Sequence, residues 1–243
     1  HVKAVYDLFV SKGEKVVNDH LAFRTFNNKK INIEVLAKPF LKDGYKEKGS
    51  YNFENKHLFA KHYEHETDTN APRVFISELI IEDFPEDFQN TINTILDNIP
   101  ESTANSDELI FSGNIFGKPS YSIYNKLRSE SEYAAWLYVF GFRANHFTVS
   151  VNHLKNYDSI EKVNQLLKEN GFLINNTDGE VKGTPKELLE QSSIKSGIID
   201  IEFIEGKQRE PKRKKRDMSV YDIKEPEPKE NVIRRMLNRF KKG

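Results

Sequence analysis

Two stretches decide the fold: VNDHLAFRTF at Val17–Phe26 and RANHFTVSV at Arg143–Val151. Each places a histidine, His20 or His146, one or two residues after an asparagine and at the start of an apolar run. Aromatic and β-branched residues dominate both runs, which is typical of β-strands. We therefore predict two equivalent strands, each with a histidine near its beginning.

The similarity between the two stretches continues downstream. A helical pattern follows each strand, over residues 33–41 in one case and 159–168 in the other. Gly44 and Gly171 then end these helices, and each is followed by further strand-like sequence. An ordered recurrence of strand, helix, glycine and strands predicts two repeated modules of the βαβββ type. The fold class expected is therefore α+β.

The predicted organisation is one catalytic-type domain followed by a basic tail. The modules cover about residues 14–82 and 141–206, a helical connector joins them, and together they form a domain over residues 1–206. Residues 207–243 hold 14 basic and 6 acidic residues, although the whole chain has a net charge of zero. We expect this tail to be flexible, with a short amphipathic helix. It suits solubilisation or targeting, and contact with nucleic acid or an anionic membrane is the alternative.

Composition excludes several classes of protein. The chain has no cysteine, so it has no disulfide framework and no cysteine-based metal site. We find no apolar run of about 18 residues and no signal-peptide pattern, and so expect no membrane span and a cytoplasmic location. The balanced overall charge does not indicate a nucleic-acid partner.

The histidines suggest a metal site. Strand residues alternate between faces, so His20 and Arg24 share one face of their strand. Two histidines and a carboxylate form an arrangement that holds a divalent ion, and Fe(II), Mn, Co, Ni and Zn all suit such ligands. Glu78 is a candidate carboxylate, because it interrupts a strand-like run and needs a partner if buried. The alternatives are structural hydrogen bonding by His20 and His146 and simple ion pairing by Glu78.

Arg24 has a distinct predicted role. A planar guanidinium binds a carboxylate through two parallel hydrogen bonds, which makes arginine a common clamp for acidic substrates. One strand period beyond Ala22, Arg24 would lie near a metal held by the first histidine. The strand pattern therefore predicts a metal ion and a substrate carboxylate on the same face.

Four motifs together carry a family resemblance. They are the runs at 17–26 and 140–149, ISEL at 76–79 and LLEQSS at 188–193. In their order along the chain these motifs closely resemble those of the DUF1338 family. Its characterised members are 2-oxoadipate dioxygenase/decarboxylases related to the vicinal-oxygen-chelate fold of glyoxalases. The resemblance covers about residues 2–206. It implies that the two modules form a half-open, mixed or antiparallel barrel with extra helices.

The resemblance also implies an activity. Such an enzyme uses non-haem Fe(II), or another divalent metal, and dioxygen to decarboxylate and hydroxylate a 2-oxo dicarboxylic acid. For 2-oxoadipate the products are 2-hydroxyglutarate and carbon dioxide. His20 and His146 match the family's histidine ligands, and Arg24 matches the arginine that grips a substrate carboxylate.

The resemblance leaves the third ligand open. The family's closing strand, with a sequence like Tyr-Tyr-Glu-Phe, is not recognisable here. By the symmetry of related folds, Glu78 is the carboxylate of the first module and Glu202 the best substitute in the second. Two alternatives remain: a degenerate member that binds a ligand or partner without catalysis, and different metal chemistry, such as isomerisation or hydrolysis, on the same frame.

Overall fold

A computed structural model describes residues 2–177, 179–184, 189–196 and 199–209 of the chain. It confirms the α+β class, with groups of strands and groups of helices following one another along the chain. The described residues form two compact units, one from residues 2–20 and 145–196 and a larger one from residues 21–144 and 199–209. The predicted basic tail lies outside the described residues, apart from its first three.

The larger unit has the strand and helix order expected of the first module. Strand β1 spans Asn18–Phe26, crosses from the smaller unit into the larger one, and is followed by helix α2 at Ile33–Lys42. Strands β2 (Tyr45–Phe53), β3 (Leu58–His65) and β4 (Arg73–Leu79) complete the βαβββ order. Both β2–β3 and β3–β4 pair antiparallel, and hydrogen bonding gives the order β2-β3-β4-β1. The short strand β5, His146–Val149, belongs to the smaller unit, where it lies beside the start of β1.

Helix α2 covers one face of this sheet. Asn32 caps it, because its side chain accepts a hydrogen bond from the Val35 N–H. The apolar residues Ile33, Leu36 and Phe40 recur at helical spacing and are fully buried. Phe40 packs against Phe23 of β1 with ring centroids 5.8 Å apart, so Phe23 faces α2. Neighbouring residues of β1 point to opposite faces, which directs Arg24 away from α2.

Further helices and a hairpin complete the larger unit. The helices are α3 at Glu86–Asp97, α4 at Glu101–Ala104, α5 at Tyr121–Glu130 and α6 at Glu132–Phe140. Strands β8 (Asp200–Phe203) and β9 (Gly206–Arg209) form an antiparallel hairpin at the C-terminal end of the described chain. The Glu205 carboxylate of this hairpin accepts hydrogen bonds from the N–H groups that begin α5, at 2.8 Å from Tyr121 N.

The smaller unit contains both His20, near the start of β1, and His146, on β5. Helix α1 (Val2–Ser11) and helix α7 (Ile160–Glu169) contribute Phe9 and Leu166 to a core that Leu154 completes. Strands β6 (Lys182–Thr184) and β7 (Leu189–Gln191) form a separate two-stranded ladder. The strands after α7 are therefore shorter than those of the first module. Within the described part of the chain, no helix is long and apolar enough to cross a membrane.

Candidate active site

A pair of histidines lies at the centre of the candidate site. His20 on β1 and His146 on β5 both belong to the smaller unit, and their Nε2 atoms are 3.2 Å apart. The rings are perpendicular, with centroids 5.2 Å apart. His146 is buried, and the side chain of His20 is 14% exposed. The structure thus brings together the two residues that the strand repeat predicts to meet.

Neighbouring polar groups orient the His20 ring. Its Nδ1–H donates to Asp19 Oδ2 at 2.9 Å, and Thr148 Oγ1 lies 3.0 Å from its Nε2. A histidine that donates from Nδ1 to a carboxylate keeps a lone pair on Nε2, and this is the usual arrangement behind a metal-bound histidine. In that tautomer His20 directs an electron pair into the space shared with His146.

An amide lies beside Nδ1 of His146. Asn145 Nδ2 lies 3.2 Å from His146 Nδ1, and both residues are buried. Asn145 Oδ1 is buried and has no hydrogen-bond partner within the described residues. Rotating the amide by half a turn would let Oδ1 accept the Nδ1–H of His146 and leave Nε2 with a lone pair. The site can therefore present two imidazole lone pairs side by side.

This donor set fits a divalent metal ion. At the usual metal–imidazole distance of about 2.1 Å, one ion can contact two nitrogens that are this close together. Two neutral imidazoles suit Fe(II) and also Mn, Co, Ni or Zn. Within the described residues, no group of three or more histidine, cysteine, aspartate or glutamate side chains could hold an ion together. The described part of the chain thus offers two candidate ligands, and metal binding by them stays a prediction.

Glu78 has a different environment in the larger unit. Its Oε2 accepts a hydrogen bond from the Ile33 N–H at 3.1 Å, at the first turn of α2. The carboxylate therefore stabilises the helix N-terminus, on the same face of the sheet as α2. Burial raises the pKa of Glu78 above its ordinary value, because few opposing charges offset the lost hydration. Its described contacts give no support to the metal-ligand role predicted for it.

Glu202 lies on the surface hairpin. Its carboxylate pairs with the Lys118 ammonium at 2.9 Å, and its side chain is 64% exposed. An exposed ion pair of this kind contributes little to stability. Glu202, like Glu78, belongs to no set of three potential ligands in the described chain. Its predicted role as a substitute ligand also stays without support.

Arg24 occupies the sheet face opposite to Glu78. Its guanidinium carbon lies 5.0 Å from the ring centroid of Tyr133 and 4.8 Å from that of Trp136, both on helix α6. On β4, Ser77 bonds the Tyr133 hydroxyl, whereas the next residue, Glu78, faces α2. The guanidinium carbon therefore lies over two aromatic rings, a contact that attracts the cation and limits where the side chain can move.

Sequence reasoning missed three residues of these surroundings. Asp19 was not predicted, because neighbouring residues of a strand point to opposite faces. In the structure its carboxylate nevertheless contacts the ring of the adjacent His20. Tyr133 and Trp136 lie three positions apart on a helix, which puts them on one side of it. On the sequence alone that spacing indicates only core packing, since nothing in it shows that an arginine of β1 meets these rings.

Comparison with known proteins identifies the family. The sequence profile of the 2-oxoadipate dioxygenase/decarboxylase family, HGLS, matches residues 7–110 and 111–217. The chain belongs to this family. This confirms the family that the four sequence motifs predict. A relative from Arabidopsis thaliana, named 2-oxoadipate dioxygenase/decarboxylase, chloroplastic, is 34% identical over 220 residues, which are 84% of this chain and 58% of that protein. The chain thus spans little more than half the length of this curated relative.

Solved structures agree with this assignment. Hydroxyglutarate synthase from Oryza sativa, in complex with 2-oxoadipate, has a TM-score of 0.80 at 32% identity, covering 86% of this chain and 71% of that one. A protein from Shewanella frigidimarina, solved under the name of a hydrolase, has a TM-score of 0.78 at 41% identity, with 87% and 89% covered. A glyoxalase-superfamily protein from Ralstonia eutropha, at 19% identity with a TM-score of 0.67 and 86% and 72% covered, supports the glyoxalase-like fold alone.

Proposed function

We propose that this chain is an Fe(II)-dependent dioxygenase that decarboxylates a 2-oxo dicarboxylic acid such as 2-oxoadipate. Its products would be the 2-hydroxy acid that is one carbon shorter and carbon dioxide, so 2-oxoadipate would give 2-hydroxyglutarate. Family membership supports the reaction class, and the related Oryza sativa enzyme was solved with 2-oxoadipate bound. We also propose a cytoplasmic location for this chain, whereas the relative from Arabidopsis thaliana is named as chloroplastic.

The observation that carries this proposal is the 3.2 Å approach of His20 and His146. At this distance the two nitrogens either share a proton in a hydrogen bond or both coordinate one ion. Asp19 favours the tautomer of His20 that leaves Nε2 unprotonated. We propose that His20 and His146 hold Fe(II), which, when bound, supplies a coordination site for the 2-oxo acid and activates dioxygen.

The remaining roles belong to side chains of the protein. We propose that Arg24 binds a carboxylate of the substrate through two parallel hydrogen bonds and so fixes the orientation of the 2-oxo acid. Arg24 lies four positions beyond His20 on the same strand. The two oxygen atoms of dioxygen are accounted for in the hydroxy acid and carbon dioxide. No external reductant is therefore needed, because the 2-oxo acid supplies the electrons.

A second candidate is a binding protein without catalysis. The observation that favours it is the lack of a third potential ligand among the described residues. Such a protein would bind the 2-oxo acid through Arg24 and consume no dioxygen. Both candidates predict ligand binding, and only the first predicts turnover.

Turnover separates the two candidates. Purified full chain is loaded anaerobically with Fe(II), mixed with 2-oxoadipate and exposed to dioxygen, and oxygen uptake, carbon dioxide and 2-hydroxyglutarate are measured together. The dioxygenase proposal predicts equimolar amounts of all three, and loss of all three in His146→Ala. Binding of 2-oxoadipate without oxygen uptake would support the second candidate and overturn the first.

A further inference from the structure

Helix α6 supports Arg24 with two aromatic rings. The Arg24 guanidinium carbon is 4.8 Å from the ring centroid of Trp136 and 5.0 Å from that of Tyr133. Trp136 is 8% exposed, so most of this contact is shielded from water. A cation over an aromatic face is attracted by the ring's negative potential, and the attraction strengthens when water is excluded. The two rings therefore restrict Arg24 to few orientations.

The Tyr133 hydroxyl fixes the backbone beside Arg24. It accepts the Thr25 N–H at 3.0 Å and donates to the Ser77 carbonyl at 2.6 Å. Thr25 directly follows Arg24 on β1, and Ser77 lies on β4. A single hydroxyl thus ties β1 to β4 at the position next to the arginine. Burial raises the pKa of Tyr133 well above its usual range, so the hydroxyl keeps the proton that it donates.

We propose that Tyr133 and Trp136 are positioning residues that hold the Arg24 guanidinium in the plane in which it receives a substrate carboxylate. This inference rests on the proposed role of Arg24 in binding the 2-oxo acid. The contact with the rings is made by the central carbon of the guanidinium, whereas its N–H donors point outward from that carbon in the guanidinium plane. The cation–ring contact and carboxylate binding therefore use different parts of the same group.

The support from α6 lowers the cost of binding. A long arginine side chain loses rotamer freedom when it grips a ligand, and that loss weakens binding unless the side chain is held beforehand. The rings and the fixed backbone restrict Arg24 before substrate arrives. Removing either support should weaken 2-oxoadipate binding with little effect on the chemical step, since the ground state and the transition state use the same grip.

Trp136 offers a direct signal for the test. It is the single tryptophan of the chain, so the intrinsic tryptophan emission of the whole protein comes from a ring that contacts Arg24. We would titrate the anaerobic, Fe(II)-loaded full chain with 2-oxoadipate and follow both this emission and the heat of binding. The proposal predicts a saturable change in emission with the same Kd as the calorimetric one. Arg24→Lys should abolish the change or shift it to at least tenfold higher ligand concentration.

A matched pair of tyrosine variants isolates the positioning role. Tyr133→Phe keeps the ring and removes the hydroxyl, and we expect it to raise the Kd for 2-oxoadipate about tenfold. Tyr138 is also on α6, and its hydroxyl accepts the Ser120 N–H at 3.0 Å, so Tyr138→Phe removes a comparable bond that does not involve Arg24. The proposal predicts an unchanged Kd for Tyr138→Phe. Equal Kd values for both variants and the wild type would overturn it.

Steady-state kinetics tests the second ring. Trp136→Leu, and the milder Trp136→Phe if the first variant folds poorly, should raise KM for 2-oxoadipate about tenfold and leave kcat within twofold. A fall in kcat with unchanged KM would overturn the positioning role. Failure of the proposed function is a separate result: an emission change that depends on Arg24, in a chain that takes up no dioxygen, supports the positioning inference and contradicts the dioxygenase activity.

Discussion

His20 and His146 are 126 positions apart in the sequence, and their Nε2 atoms lie 3.2 Å apart in the folded chain. Hydrogen-bonding groups orient both rings: Asp19 contacts Nδ1 of His20, and Asn145 contacts Nδ1 of His146. Each of these partners precedes its histidine directly. The repeated strand therefore delivers a ring together with the group that orients it.

Asp19 should matter for metal binding more than for folding. We expect Asp19→Asn to lower Fe(II) affinity about 10- to 100-fold, because the amide orients the His20 ring less strongly and lowers its basicity. Anaerobic Fe(II) titration checks this, with thermal unfolding to monitor the fold. Asp83→Asn is the matched control, since Asp83 contacts His57 at 3.1 Å on the surface. An equal loss of affinity in both variants would argue against a specific role for Asp19.

Glu78 should make stability fall as pH rises. Its pKa is raised by burial, so the folded chain binds the Glu78 proton more tightly than the unfolded chain, whose pKa is near the model-peptide value of 4.5. The contribution of protonated Glu78 is thus present below that value and lost as pH rises through the folded pKa. Glu78→Gln removes this titration and keeps an acceptor for the Ile33 N–H. The free energy of unfolding, measured with denaturant across acidic pH, should decline less with rising pH in the variant than in the wild type.

The same variant tests the ligand role that sequence symmetry gave to Glu78. A carboxylate that only stabilises the start of helix α2 can be replaced by its amide without loss of metal. We therefore expect Glu78→Gln to bind Fe(II) as tightly as the wild type. A loss of affinity of more than tenfold, in a variant that folds normally, would restore Glu78 as a metal ligand.

Glu14 should have the opposite pH dependence. Its buried carboxylate accepts the Lys155 N–H at 2.7 Å and the Asn156 N–H at 2.8 Å. These bonds lower the pKa of Glu14, and the bond from Lys155 has the largest effect. The contribution of the Glu14 carboxylate to folding stability is therefore present above pH 4.5 and is lost as pH falls through the pKa of the folded chain. Glu14→Gln should unfold at a lower temperature at neutral pH and lose less stability on acidification. Glu54→Gln, in an exposed turn, should behave like the wild type in both respects.

Gly141 should not tolerate a side chain. It ends helix α6 with φ 64° and ψ −147°, a region that is essentially restricted to glycine. An added Cβ would lie 2.1 Å from the Gly113 carbonyl oxygen, and the backbone would have to move. We expect Gly141→Ala to cost about 3 kcal/mol or more in chemical denaturation, since backbone strain and a steric clash act together. Gly171→Ala should cost only about 1–2 kcal/mol, because φ is 82° there but no described atom beyond the adjacent residues lies within 4 Å of the added Cβ.

The sequence predicted the first module well because its signals are local. Alternating strand residues, the Asn32 cap and Gly44 each act within a few positions, and β1, α2 and the strands after them follow. The histidine pair was also predictable, since the repeat implies equivalent strands. The second module was less predictable, because the strands after α7 are only three or four residues long, which is too short for a clear alternating pattern.

The surroundings of the site required tertiary information. Glu78 was expected to need a partner, and the partner is the Ile33 N–H of a helix that the sequence could not orient against β4. Arg24 was predicted as a carboxylate clamp, whereas the rings that support it come from α6, more than 100 positions away. Symmetry with related folds suggested Glu78 and Glu202 as ligands, but symmetry does not include the local hydrogen bonds that each carboxylate makes.

Metal binding by the histidine pair is tested most directly by Fe(II) stoichiometry under anaerobic dialysis. We predict one Fe(II) per chain for the wild type and an affinity loss of at least 100-fold in both His20→Ala and His146→Ala. His153→Ala is the control, because this histidine is exposed and its ring hydrogen-bonds Ser150 Oγ, away from the histidine pair's own partners. The His153→Ala variant should bind iron normally. Wild-type protein that takes up no iron, or histidine variants that bind it as tightly as the wild type, would contradict the account.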